Sequence, residues 1–294
     1  WGDQTDVPES ADWWNASYLI MWGSNIPTTR TPDAHFMTEA RYKGQKVVTV
    51  SPDYADNTKF ADEWMPAQPG TDGALAMAMG HVVLKEFYVD RQVPMFVDYS
   101  RRFTDLPFLV SLRQREDAWV PDRFVNAADL GIDEEAGEWK PALIDGRTDD
   151  PVIPHGSIGY RHNESGMGKW NLELDGIEPV LSLYADGGES VAVDLPRFDI
   201  GDAGSEQGSI IRRGVPVRRI GDRLVTTVYD LLLAQYGVGR DGLPGEWAAG
   251  YDDAASLYTP AWQEEITSVP AETVTRIARE FAALRSARLQ KSSR

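Results

Sequence analysis

The sequence predicts an α/β fold: a parallel sheet with flanking helices, plus a less regular extension. Short apolar runs alternate with helix-like segments over the first hundred residues, the order of βαβ units. Turn-forming residues follow each run at once. Helix-start signatures, Thr31-Pro32-Asp33 and Pro69-Gly70-Thr71-Asp72, open the segments between them.

The first run, Tyr18-Leu19-Ile20-Met21-Trp22, is apolar on both faces and ends at Gly23-Ser24-Asn25, as a buried parallel strand would. The helix opened by Thr31 and Pro32 runs to about Tyr42 and stops at Gly44. Lys46 to Ser51 is rich in β-branched residues and forms the second strand. Asp53 to Asp62 is polar and holds a short helix, and Glu63-Trp64-Met65-Pro66 is a short third strand. Leu75, Met79, Val82 and Val83 recur at helical spacing and predict a helix over Asp72 to Phe87, capped by Thr71 or Asp72. Pro94 to Phe103 forms another helix.

Beyond Leu106 the periodicity weakens. Asp129 to Asp150 is strongly acidic and reads as an exposed loop. Short strands are expected at Ser157–Tyr160, Lys169–Leu172 and Val180–Leu183, and Asp199 to Ser209 is a Gly-rich loop. A helix over Leu224 to Tyr236 stops at Gly237, and a last helix spans Ala271 to Leu284, with Ser268 as its cap and Pro270 near its first turn. The expected organisation is an α/β cofactor-binding region over 1–115, an irregular insertion with short strands over 116–220 and a helical return segment over 221–294. There is no internal repeat.

Composition excludes several functions. With 46 acidic and 29 basic residues in 294, the net charge of −17 argues against binding nucleic acid through its phosphates. There is no cysteine, so this chain supplies no disulfide, thiolate zinc site or iron–sulfur ligand. A single anionic cofactor remains compatible with the charge, because backbone amides bind phosphate locally. The chain opens on Trp1-Gly2-Asp3-Gln4 without a signal-peptide pattern and reads as a piece of a longer protein.

Three loops carry the chemistry, each where a strand gives way to a helix; ligands of open α/β sheets bind at the carboxyl ends of the strands. In the first, Trp22 to Pro27, Gly23 allows close backbone approach and Asn25 offers an amide to phosphate or ribose oxygens. In the second, Asp53 after Ser51 is placed to accept from ribose hydroxyls. In the third, Gly70 and Thr71 lead into a helix whose amides are free, and Asp72 can accept the N1–H and exocyclic amine of guanine, a pairing that adenine's N1 refuses. Taken singly, Gly23 and Asn25 suit a plain turn and Thr71 or Asp72 a plain helix cap. Together, at three consecutive strand ends, they favour a nucleotide site, and the absence of G-x-G-x-x-G counts against an ordinary NAD site. His155 and His162 in a Gly-rich region are read as solvated, His35 and His81 on predicted helices as structural.

These loops belong to longer blocks: WGDQTDVPESADWW (Trp1–Trp14), WGSNIPTTRTPDAHF (Trp22–Phe36), VSPDYAD (Val50–Asp56) and PGTDGALAMAMGHV (Pro69–Val82). GSIGYR, GKWNLE, VTTVYDL and YTPAW extend the pattern. The chain resembles the molybdopterin guanine dinucleotide-dependent oxidoreductases, most closely the alpha (catalytic) subunits of membrane-bound respiratory nitrate reductases. The resemblance covers nearly the whole chain, strongly to Arg115, thinly afterwards, and not over 285–294. It implies that a bis(molybdopterin guanine dinucleotide) molybdenum cofactor lies across the three loops. Gly23 and Asn25 would lie near the pyrophosphate, Ser51 and Asp53 would contact the guanosine, and Gly70 and Asp72 the guanine or its ribose; Trp22 and Thr71 belong to the same loops. Gln68 stands where the family often has arginine. The implied molybdenum ligand, an aspartate, and the ligands of a 4Fe-4S cluster fall upstream of Trp1, so no catalytic or metal-ligating residue is assigned here. The implied reaction is nitrate to nitrite, with electrons arriving through iron–sulfur clusters. The implied partners are an iron–sulfur beta subunit and a membrane gamma (cytochrome b) subunit, at the cytoplasmic face of the membrane or, in archaeal-type relatives, facing outward. The alternatives are a chlorate, selenate or dehydrogenase-type enzyme of the same cofactor family, and a non-catalytic nucleotide-binding or truncated module.

Overall fold

The computed structural model describes residues 10–54, 56–133, 135–154, 174–197 and 210–292, of which 284–292 as backbone only. The strands expected at Ser157–Tyr160 and Lys169–Leu172, the loop from Asp199 to Ser209, and His155 and His162 lie outside the described residues. Two units emerge, one formed by Trp1–Val82 with Tyr251–Arg294 and the other by Val83–Gly250.

The first unit opens with β1 (Tyr18–Trp22), a single turn α1 (Ile26–Thr29), α2 (Thr31–Tyr42), β2 (Lys46–Val50), β3 (Glu63–Met65) and α3 (Asp72–Val83). The strands form a parallel sheet in the order β1-β2-β3. Successive side chains of a strand face opposite ways. Leu19, Met21 and Val47 pack with Ala34 and Met37 of α2. Tyr18 and Lys46 point to the other face. Asp53 to Asp62 holds the expected short helix, a 3-10 segment at Asp56–Phe60.

The expected helix to Phe87 changes character at Val83, where a π-helical segment, Leu84–Asp90, continues it. The second unit then contains α4 (Pro94–Phe103), β4 (Leu109–Arg115), β5 (Ala118–Phe124), β6 (Leu143–Asp145), β7 (Asp150–Val152), β8 (Ser190–Pro196), β9 (Ile210–Pro216), β10 (Arg218–Ile220), β11 (Arg223–Thr227) and α5 (Val228–Gln235). The chain ends with α6 (Pro260–Thr267) and α7 (Ala271–Ser292) of the first unit.

Four expectations are corrected. The stretch from 116 to 220 is more regular than expected: its β5, β8, β9 and β10 join β4 and β11 in a mixed sheet in the order β10-β11-β4-β5-β8-β9. Leu224 to Tyr236 is a strand and then a helix, because β11 lies between β10 and β4 and is buried on both faces, which hides its period. Asp129 to Asp150 is not all exposed loop; Leu143, Ile144 and Asp145 are buried in the β6–β7 hairpin. Val180–Leu183 forms no strand, although the Val180 N–H donates to the Ile144 carbonyl. β4 pairs with both β5 and β11, which ties the stretch from 116 to 220 to the residues on either side of it.

The ends of the six-stranded sheet meet. A flat sheet would hold β9 and β10 roughly 24 Å apart across five strand spacings. Val217 alone links them, and Pro216 to Arg218 spans at most roughly 7 Å. The sheet therefore curls into a barrel, filled by Leu112, Val193, Leu195, Val215, Val217 and Leu224. Gly214 in β9 is required by a close approach: its N–H donates to the Pro244 carbonyl at 2.6 Å, and a Cβ there would stand 2.4 Å from Pro244 Cδ. Gly214→Ala should cost about 1–3 kcal/mol through overpacking, read as a lowered urea midpoint at unchanged slope.

A polar cluster lies beside α5. Asp230 is fully buried and pairs with Arg240 at 2.8 Å. Its carboxylate also accepts from Ser182 Oγ (2.6 Å) and the Leu183 N–H (2.9 Å). Thr227 Oγ1 caps α5 by accepting the Asp230 N–H and donates to the Leu181 carbonyl. Burial pushes the Asp230 carboxyl up, against Arg240, Ser182 and Leu183.

Candidate functional site

The carboxyl ends of the three parallel strands are level. Trp22 of β1 pairs with Val50 of β2, and Val50 with Met65 of β3. The ladder runs one step further, with Gly23 N–H donating to Val50 O and Ser51 N–H to Met65 O. The loops at Gly23–Asn25 and Ser51–Asp53 thus start side by side, and Gly70–Asp72 follows β3 into α3.

At the first loop, Gly23 has φ +61°, a left-handed conformation that favours glycine, and nothing lies within 4 Å of a Cβ built there. The Asn25 carbonyl accepts from Thr28 and Thr29 to start α1. Its side-chain oxygen is buried and accepts no hydrogen bond among the described residues. At the second loop, Ser51 is buried and its hydroxyl contacts the Asp53 carbonyl and carboxylate, each at 2.9 Å. Asp53 itself is exposed. The Trp64 indole donates to the Ser51 carbonyl and meets Tyr54 edge to face. At the third loop, Gly70 has φ +80° with open space around it. The Thr71 hydroxyl donates to Gln68 O, and Gln68 is tied to α6 through its N–H to Thr267 O and its amide to Ser268 Oγ. Ser268 therefore closes α6, with φ +62°, and does not cap α7. Asp72 is exposed in the first turn of α3. The first and third loops are joined directly: the Trp22 indole N–H donates to Asp72 Oδ1 at 2.7 Å.

Asn57 is a positioning residue that the sequence reading missed. It is wholly buried; its Oδ1 accepts from the Ile26 N–H at 2.8 Å and its Nδ2 donates to the Ser24 carbonyl. Nearby, Asp56 accepts from the Thr28 hydroxyl at 2.6 Å, and Lys59 with Thr28 holds its carboxyl below the usual range. The signal was a polar residue in a 3-10 turn between strands, which spacing does not distinguish from solvated loop.

The opposite end of the sheet is clamped by charge. Tyr18, Lys46 and Glu63 begin the three strands. Arg276 and Glu280 of α7 reach them: Arg276 donates to both Glu63 oxygens, Lys46 bridges Glu63 and Glu280, and the Tyr18 hydroxyl donates to Glu280. Tyr18 also meets Phe281 edge to face. α7 thus lies on the face opposite α2, so helices flank both sides, as expected. Arg276, then Lys46, pulls the Glu63 carboxyl down to about 2. Burial opposes the charge of Glu280, but Lys46 and Arg276 outweigh it and hold that carboxyl low as well. Glu63 therefore stabilises the fold above its unfolded value of about 4.3, and loses that contribution as pH falls toward 2. Urea midpoints should drop through that window, and Glu63→Gln should flatten the drop.

The three loops have the chemistry to hold a nucleotide. Two left-handed glycines leave room for phosphate and the α3 amino end favours its charge, while exposed Asp53 and Asp72 match ribose and base donors. Residues 4–259 match the family model for molybdopterin oxidoreductases. The chain belongs to that family. Among curated molybdopterin oxidoreductases it is similar to the nitrate reductase alpha subunit of Mycobacterium tuberculosis (strain CDC 1551 / Oshkosh), at 60% identity over 286 residues, covering 96% of this chain and 23% of that protein. It is also similar to the respiratory nitrate reductase 1 alpha chain of Escherichia coli K12, at 48% identity over 303 residues, covering 96% of this chain and 24% of that one. The perchlorate reductase subunit alpha of Dechloromonas aromatica (strain RCB) is 36% identical over 215 residues, covering 68% of this chain and 22% of its own length. The chain spans about a quarter of the curated relatives it matches. Family membership brings a molybdopterin-type cofactor.

Proposed function

We propose that this chain is the part of a molybdenum-dependent nitrate reductase catalytic subunit that holds a guanine dinucleotide end of its cofactor. The observation that carries the reading is the level set of strand ends bearing Gly23–Asn25, Ser51–Asp53 and Gly70–Asp72. Gly23 and Gly70 let phosphate approach the backbone. Asn25 lies near the pyrophosphate, Asp53 takes a ribose hydroxyl, and Asp72 takes the two guanine donors. When bound, the molybdenum cofactor supplies two-electron oxygen-atom transfer, nitrate to nitrite, fed through iron–sulfur clusters that include a 4Fe-4S centre; the residues here bind and orient. The complete subunit would work with an iron–sulfur beta subunit and a cytochrome b gamma subunit at the cytoplasmic face of the membrane. No helix among the described residues is long and apolar enough to cross a membrane.

Acid treatment of the purified complete subunit should release GMP, and Asp72→Ala should sharply lower the amount recovered. Release of another nucleotide, or of none, would remove the guanine assignment. The similarity to a perchlorate reductase supports a second reading, reduction of a chlorine oxyanion by the same cofactor. The kcat/KM ratio for nitrate against perchlorate decides between them. The 294-residue chain alone should reduce no nitrate.

A further inference from the structure

We propose that Trp22 is a positioning residue that sets base selectivity through Asp72; this rests on the guanine reading above. An aspartate in the first turn of a helix has a competing use, because its carboxylate readily turns back to accept the free amides of its own helix. In that orientation it cannot face a base. The Trp22 indole N–H, 2.7 Å from Oδ1, gives the carboxylate a donor on the sheet side instead. Trp22 closes β1 and is half-buried, so the donor is held by the sheet. Indole N–H is a donor only, so it leaves no ambiguity about which atom bears the lone pair. With Oδ1 fixed by one lone pair, the carboxylate plane is set, and Oδ2 and the second lone pair of Oδ1 stay free. Two parallel acceptors are what the N1–H and exocyclic amine of guanine require. Adenine offers an acceptor at N1 and is refused. Loss of the indole donor therefore weakens guanine binding and leaves adenine binding unchanged, a signature that loosened packing would not give.

The test uses the full 294-residue chain, with GDP and ADP as probes in isothermal titration. Trp22→Phe keeps the ring and removes the N–H. It should weaken GDP about tenfold, the worth of one hydrogen bond to a charged group, without altering ADP. In an Asp72→Ala background the same substitution should add nothing. Asp72→Glu, at an exposed position, moves the carboxylate away from the indole and should lower the GDP-to-ADP ratio in the same sense. An unchanged ratio in Trp22→Phe or Asp72→Glu, or full additivity with Asp72→Ala, overturns the proposal. A wild-type chain that binds neither nucleotide overturns the guanine reading itself, and this role with it.

Discussion

Asp230→Ala is expected to destabilise the second unit by about 3–5 kcal/mol, because it leaves Arg240 charged and buried without its partner. The Ser182 hydroxyl and the Leu183 N–H lose their acceptor as well. Arg240→Ala should cost a similar amount, by stranding the carboxylate. The two losses should not add. An apolar pair, Asp230→Leu with Arg240→Met, removes both charges together and should recover much of the stability. Denaturant unfolding of the wild type, the two alanine variants and the double alanine variant forms a double-mutant cycle. Full additivity of Asp230→Ala and Arg240→Ala would show that the pair is not coupled as its geometry requires.

The second large effect concerns Asn57. Asn57→Leu keeps the volume but leaves the buried Ile26 N–H and the Ser24 carbonyl unpaired. A cost of about 2–4 kcal/mol follows from two orphaned backbone groups. The first loop should also lose its shape, so GDP binding should weaken although Asn57 touches no nucleotide in the proposed arrangement. Unchanged GDP affinity in a folded Asn57→Leu chain would separate the loop from the site.

The first unit was legible because each strand is a short apolar or β-branched run closed by a turn. Tyr18–Trp22, Lys46–Val50 and Glu63–Met65 stand within a residue of where the sequence placed them. The second unit was not. The β4–β5 hairpin turns on Glu116 and Asp117, and Glu116 adopts φ +55° without a glycine to announce it. β5 carries Pro121, and β11 is buried on both faces, so its side chains show no alternation. Two of the pairings, β11 with β4 and β5 with β8, join strands far apart along the chain, and no local period records that. In the site, the loop residues were readable from their types. The bonds that arrange them, Trp22 to Asp72 and Asn57 to the Ser24–Ile26 backbone, join residues distant in sequence and needed three dimensions.

The first unit is made from both ends of the chain, which sets an order of events during synthesis. β1, β2 and β3 are synthesised before Arg276 and Glu280, which clamp their amino ends, and before Thr267, which anchors Gln68 beside the third loop. The intervening span takes roughly 10–30 s to translate. For that interval the barrel strands can pair as they emerge, whereas the parallel sheet waits with one face bare. The bonds from Thr267, Arg276 and Glu280 to this sheet form only after translation has passed those residues, so the three loops take their final support late.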